Sequence, residues 1–144
     1  MTIPIAPAIP HTDAVVAAIA AVPILVGRGR KPDGAGWQGN PGTSSYVRYA
    51  VVYAFGPTPD GNVAEPLEYL DYKAQINVFG ATEGQAEGGA DDVRSALIGR
   101  RLAVTGRSTY PVQTPGGPPT RRDESVTPPT YMAVVEIAFR SQPA

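Results

Sequence analysis

Residues 46–101 constrain this chain most, because two strand patterns there run straight into a helical one. In residues 46–55 the positions Val47, Tyr49, Val51, Tyr53 and Phe55 are all apolar or aromatic. In residues 68–79 Leu70, Tyr72, Ala74, Ile76 and Val78 alternate with Asp71, Lys73, Gln75 and Asn77. Successive strand side chains point to opposite faces, so this pattern gives a dry face and a wet one. After Gly80 the period changes to 3.6, and Ala86, Ala90, Val93 and Leu97 share one stripe of a helix over 82–98. A half-buried sheet followed by an amphipathic helix requires that one cover the other.

The helix carries its own start signal. Thr82 and Gln85 have capping-box spacing. Glu83 and Glu87 lie near its positive end, and Arg94, Arg100 and Arg101 near its negative end. Gly84, Gly88 and Gly89 each weaken it by roughly 1 kcal/mol relative to alanine. Docking must supply what propensity lacks, and Gly99 is the expected stop.

Other elements add to this centre. Pro4, Pro7 and Pro10 predict an extended arm over residues 1–11. A first helix is expected from Thr12 or Asp13 to Val22, with Val15, Ile19 and Val22 inward and Pro23 ending it. Residues 24–27 are compatible with a short strand. Residues 56–66 read as a hairpin-like loop with a turn at Asp60-Gly61, and residues 101–107 as a weak strand carrying Leu102 and Val104. The last strand, 130–140, alternates with Tyr131, Ala133, Val135, Ile137 and Phe139 inward; Val134 on its other face suggests a central place. Residues 28–45 and 108–129 are long loops rich in glycine and proline. The expected fold is α+β: a mixed, mainly antiparallel sheet of about four to five strands, covered by the N-terminal helix and the helix near 82–98. A chain of 144 residues suits a single domain with one core.

Composition excludes several functions. With no cysteine, disulfides, cysteine zinc sites and thiol catalysis are out. The single histidine, His11, sits in the proline-rich arm, where a surface position is expected, and no G-x-S-x-G nucleophile elbow accompanies it. The segment Gly27-Arg28-Gly29-Arg30-Lys31 fails the phosphate-loop spacing, and the prolines and glycines after it forbid the helix such a loop needs. Asp91 and Asp92 are adjacent in a helix and point apart. No catalytic, metal or cofactor site is read. A net charge of −1 makes the whole chain no trap for nucleic acid. Residues 1–10 lack the form of a signal peptide, and the apolar run 14–26 is too short to span a bilayer. Assembly in a cytoplasm is expected, with no membrane partner. Candidate partner contacts are Arg28, Arg30, Lys31 and Trp37 in one loop and Arg121, Arg122, Asp123 and Glu124 in the other. Trp37 either anchors its loop on the body or waits for a partner.

The order of elements resembles the tail terminator (tail completion) proteins of long-tailed bacteriophages. The likeness rests on the strand YVRYAVVYAF at 46–55, the strand YLDYKAQINVFG at 69–80, the helix TEGQAEGGADDVRSALIG at 82–99 and the distant strand YMAVVEIAFR at 131–140. Within these, Gln75-Ile76-Asn77-Val78 matches the family's strand before the helix, and Asp92-Val93-Arg94 with Leu97 matches the helix core. The two proline-glycine loops are longer than the family's connections. The resemblance implies a homohexameric ring that caps the tail tube. One face would meet the tail tube protein and the other the head-completion (stopper) protein, with DNA passing through the lumen without specific binding. Other readings are a different neck protein (head-closure or adaptor), a tail tube subunit, or a small bacterial binding domain or enzyme of another type.

Overall fold

The computed structural model describes residues 5–144. Two helices, α1 (Ile9–Ala20) and α2 (Glu83–Leu97), lie on one face of a mixed sheet. The strands are β1 (Leu25–Arg28), β2 (Gly36–Trp37), β3 (Tyr46–Val47), β4 (Tyr49–Ala54), β5 (Thr58–Asp60), β6 (Tyr69–Gly80), β7 (Arg107–Thr109), β8 (Arg121–Asp123) and β9 (Thr130–Pro143). The large sheet has seven strands, more than the four to five expected, in the order β1-β4-β6-β9-β7. Its extra members are short. β5 continues the β4 edge along the start of β6, and β8 lies on the β7 edge at the opposite end of β9. Only β1 and β4 run parallel. β2 and β3 form a separate two-stranded ribbon.

The long strands follow their alternation. Leu70, Tyr72, Ala74, Ile76 and Val78 of β6 are fully buried, facing Phe139, Ile137, Val135 and Ala133 of β9. β9 is central, with neighbours on both edges. α2 covers these two strands with Ala86, Ala90, Val93 and Leu97, as the stripe predicts. Burying Val93 and Leu97 contributes about 1.5–3 kcal/mol each, which offsets the helix-weakening glycines. Gly89 has a second use. A Cβ there would lie 2.6 Å from Val78 Cγ1, so its absence lets the helix settle on β6. Half of the capping box is made as read, with Gln85 N donating to Thr82 Oγ1 at 3.1 Å; the return bond goes one residue further back, Gln85 Oε1 accepting from Ala81 N at 2.7 Å.

Several expectations are corrected. α1 starts at Ile9, ahead of Thr12 and Asp13, with Pro10 in its first turn. The first amides of a helix have no intrahelical acceptor, so proline is free to stand there. Residues 1–4 of the expected arm lie outside the described residues. In β4 the helix-facing residues are Ala50 and Val52, while Tyr49, Val51 and Tyr53 face the other way. Residues 56–66 contain β5 rather than only a turn. Residues 101–107 are not a strand; Leu102 and Val104 are buried as irregular chain, and pairing begins at Arg107.

His11 is buried, not on the surface (1% exposed). It stacks against Tyr72 and Phe139, both at 5.9 Å between ring centres. Its Nδ1 lies 2.9 Å from the Pro7 carbonyl and its Nε2 2.6 Å from Ser141 Oγ. Arg107 Nε donates to the same Oγ at 3.1 Å. A carbonyl can only accept, so Nδ1 carries the proton, Ser141 donates to Nε2, and the chain of bonds is complete with a neutral imidazole. Alongside, Thr12 Oγ1 and Tyr72 OH are 2.8 Å apart. These bonds tie the first turns of α1 to the sheet.

Candidate assembly surfaces

The face of the sheet away from the helices carries the features that could meet another subunit. Two long loops shelter its upper end. The ribbon of β2 and β3 folds the first loop back, and Trp37 meets Tyr46 edge-on at 5.0 Å between ring centres. Tyr46 lies 6.4 Å from Tyr49, and Tyr49 stacks on Phe79 at 4.8 Å. This row of rings runs from the loop onto β6. Burial pushes the Tyr46 and Tyr49 phenols up from their ordinary value. Trp37 is therefore an anchor, half-buried on its own body. The second loop reaches the first where a Cβ on Gly42 would be 3.4 Å from Pro128 Cγ. Between them lies a hollow of about 220 Å³, bordered by Lys31, Trp37, Phe79, Asp123 and Val126.

The structure thus gathers Lys31, Trp37 and Asp123 of the eight candidate contact residues around one hollow. The others lie apart from it. Arg28 ends β1 and pairs with Asp13 of α1. Arg30 is exposed in the loop beyond. Arg121 and Arg122 are exposed in β8, and Arg122 approaches Glu124 at 3.7 Å. Asp123 Oδ1 accepts from Ser125 Oγ at 2.5 Å and from Ser125 N at 3.0 Å, and these bonds hold its carboxyl below the usual range.

The lower half of the same face is open. A groove of about 480 Å³ has Asp71, Lys73, Ala138 and Arg140 on its floor, with Thr58 on one side and Tyr110 on the other. It shares Lys73, Gln113 and Ala138 with a second hollow of about 400 Å³ beside Phe55 and Pro115. Arg140 grips Asp71 with two bonds, at 2.7 and 2.9 Å, reaches Asp60 at 2.7 Å, and lies 5.0 Å from the Tyr69 ring centre. The bonds from Arg140 hold the Asp71 carboxyl low. Phe55 and Tyr110 stay 47% and 42% exposed at the rims. The sequence placed Asp71 and Lys73 on a wet face but gave no sign of these walls, because Phe55 and Tyr110 sit at strand ends where alternation fades.

The Ser141–His11 contact is sealed from solvent and backed by a carbonyl and a guanidinium, not by a carboxylate. Among the described residues no cluster of three acidic or histidine side chains is placed to hold a metal. No described helix is long and apolar enough to cross a membrane.

No protein-family profile and no curated protein sequence matches the chain. Solved structures do match its fold. A chain in the virion of a native gene transfer agent particle aligns over 92% of this chain and 87% of its own, with a TM-score of 0.54 and 16% identity. A second solved protein, whose name states no function, aligns over 92% of this chain and 96% of its own, with a TM-score of 0.51 and 14% identity.

Proposed function

We propose that this chain is a non-enzymatic structural protein of a phage-like virion, and within that class a tail terminator at the neck. The observation that carries the reading is a fold shared almost end to end with a chain of a gene transfer agent virion. The sequence resemblance to tail terminators points the same way from different data. The sheet geometry supports it too: helices cover one face, while the other keeps an open groove and two anchored loops for contact with other subunits. In this reading the subunits form a hexameric ring, with tail tube protein on one side and head-completion protein on the other. DNA passes through the lumen without specific contacts.

Mass photometry and negative-stain imaging, with and without tail tube protein, test this. The expected result is a ring near six times the 15.0 kDa chain mass that binds the end of the tube. A strict monomer in both samples would sink the proposal. Growth into long tubes by the chain alone would identify a tube subunit instead.

A further inference from the structure

The loop between β5 and β6 holds an apolar side chain out in water. Val63 is fully exposed (102%), yet the loop beneath it is built. Asn62 Oδ1 accepts from Ala64 N and Glu65 N, both at 2.9 Å, and Asn62 N donates to the Glu65 carbonyl at 3.2 Å. A Cβ on Gly61 would lie 1.9 Å from that carbonyl oxygen, so the loop closes tightly on itself. Val63 meets no partner among the described residues, and the backbone that carries it is ordered before any partner arrives. The loop is also acidic. Residues 61–68 carry Glu65 and Glu68 and no cation.

The groove on the open sheet face supplies apolar walls and one cation without an ion pair. Phe55 and Tyr110 offer apolar walls, and Lys73 on the floor forms no ion pair among the described residues. Arg140, the other cation there, is already held by Asp60 and Asp71. We infer that Val63 of one copy seats in the groove of a second copy, between Phe55 and Tyr110, with Glu65 facing Lys73. Knob and groove are different surfaces of the same chain, so this contact is head-to-tail and closes into a ring when the rotation per subunit allows it. The inference rests on the ring reading above and assigns its interface.

Val63→Asp leaves the body intact, because Val63 is fully exposed among the described residues. It should raise the concentration needed for half-assembly about tenfold or more, the expected loss of one buried valine. Phe55→Asp should do the same from the groove side. A mixture of the two variants retains one good knob and one good groove and should yield pairs that grow no further. Glu65→Lys and Lys73→Glu should each weaken assembly, and the double variant should recover it. Circular dichroism and thermal melting confirm that each variant is folded. Wild-type rings unchanged by Val63→Asp would overturn the interface and leave the ring reading standing. Variant rings that form normally but no longer bind tube protein would also overturn it, by giving the knob to the tube. A wild-type chain that stays monomeric removes both.

Discussion

Gly88 and Gly89 are neighbours in α2, and alanine at the first should stabilise the protein while alanine at the second should not. Both lie inside the helix, so alanine gains the same intrinsic preference at either site, about 1 kcal/mol. Packing separates them. A Cβ at Gly88 meets only Arg48 Nη1, at 3.5 Å, the far end of a flexible side chain. A Cβ at Gly89 meets Val78 Cγ1 at 2.6 Å and Ile24 Cδ1 at 3.3 Å. Carbon atoms rest at about 3.5–4.0 Å, so Val78 or the helix must move by about 1 Å. Val78 is fully buried on a central strand and has little room to turn. Overpacking of this kind costs about 1–3 kcal/mol.

Gly88→Ala should therefore stabilise the protein by about 0.5–1 kcal/mol, and Gly89→Ala should leave it unchanged or destabilise it by up to about 2 kcal/mol. The difference, about 1–3 kcal/mol, isolates the helix–sheet contact, because propensity cancels. Urea denaturation reads it directly, and melting should separate the two variants at about 2–4 °C per kcal/mol. Val78→Ala, although destabilising in itself, should reduce the penalty at Gly89 and leave the Gly88 effect untouched, a coupling that a double-mutant cycle resolves. Equal stabilisation by both substitutions would refute the close approach of α2 to β6.

Three further outcomes follow from the same core. Ile76→Asp places an unpaired charge at a fully buried position and should prevent folding; a soluble variant that melts cooperatively would show that the β6 register is wrong. Thr82→Ala removes the N-cap acceptor of α2 and should cost about 1 kcal/mol by urea denaturation, and no loss would show that the cap bond contributes nothing. Burial lowers the His11 pKa below 6.5, helped by the Arg107 charge and opposed by the bond to the Pro7 carbonyl. The unfolded chain therefore binds the proton first, so this contribution is complete above about pH 6.5 and is lost as pH falls toward the folded-state value. The urea midpoint should drop between about pH 7 and pH 5, and His11→Phe should flatten that slope; an unchanged slope would assign it to carboxylates.

How far the sequence spoke depended on whether each residue's chemistry differed from that of its neighbours. β6 was legible because Asp71, Lys73, Gln75 and Asn77 mark one face and five apolar residues the other. The α2 stripe and its Thr82–Gln85 cap were legible for the same reason. β4 was not, because Ala50 and Val52 on one face are as apolar as Val51 and Tyr53 on the other. Its orientation is decided by the register Ala50↔Val78 and Val52↔Ile76, a long-range fact that no local pattern contains. The short strands β5, β7 and β8 escape periodicity because each has three residues, and each owes its place to a long neighbour already laid down. His11 shows the limit most sharply. A histidine beside prolines reads as surface because nothing near it in sequence can satisfy two ring nitrogens. The acceptor for one proton is four residues back, at Pro7, but the donor to the other nitrogen is Ser141, 130 residues away. Once both are in place, the polar ring is no worse a core residue than the Tyr72 and Phe139 rings beside it. The candidate contact residues follow the same rule. Composition singled out the charged loops, yet Arg28 is spent on Asp13 and Trp37 on Tyr46. Among the described residues Val63 is fully exposed and Lys73 forms no ion pair, and no composition count would have selected either.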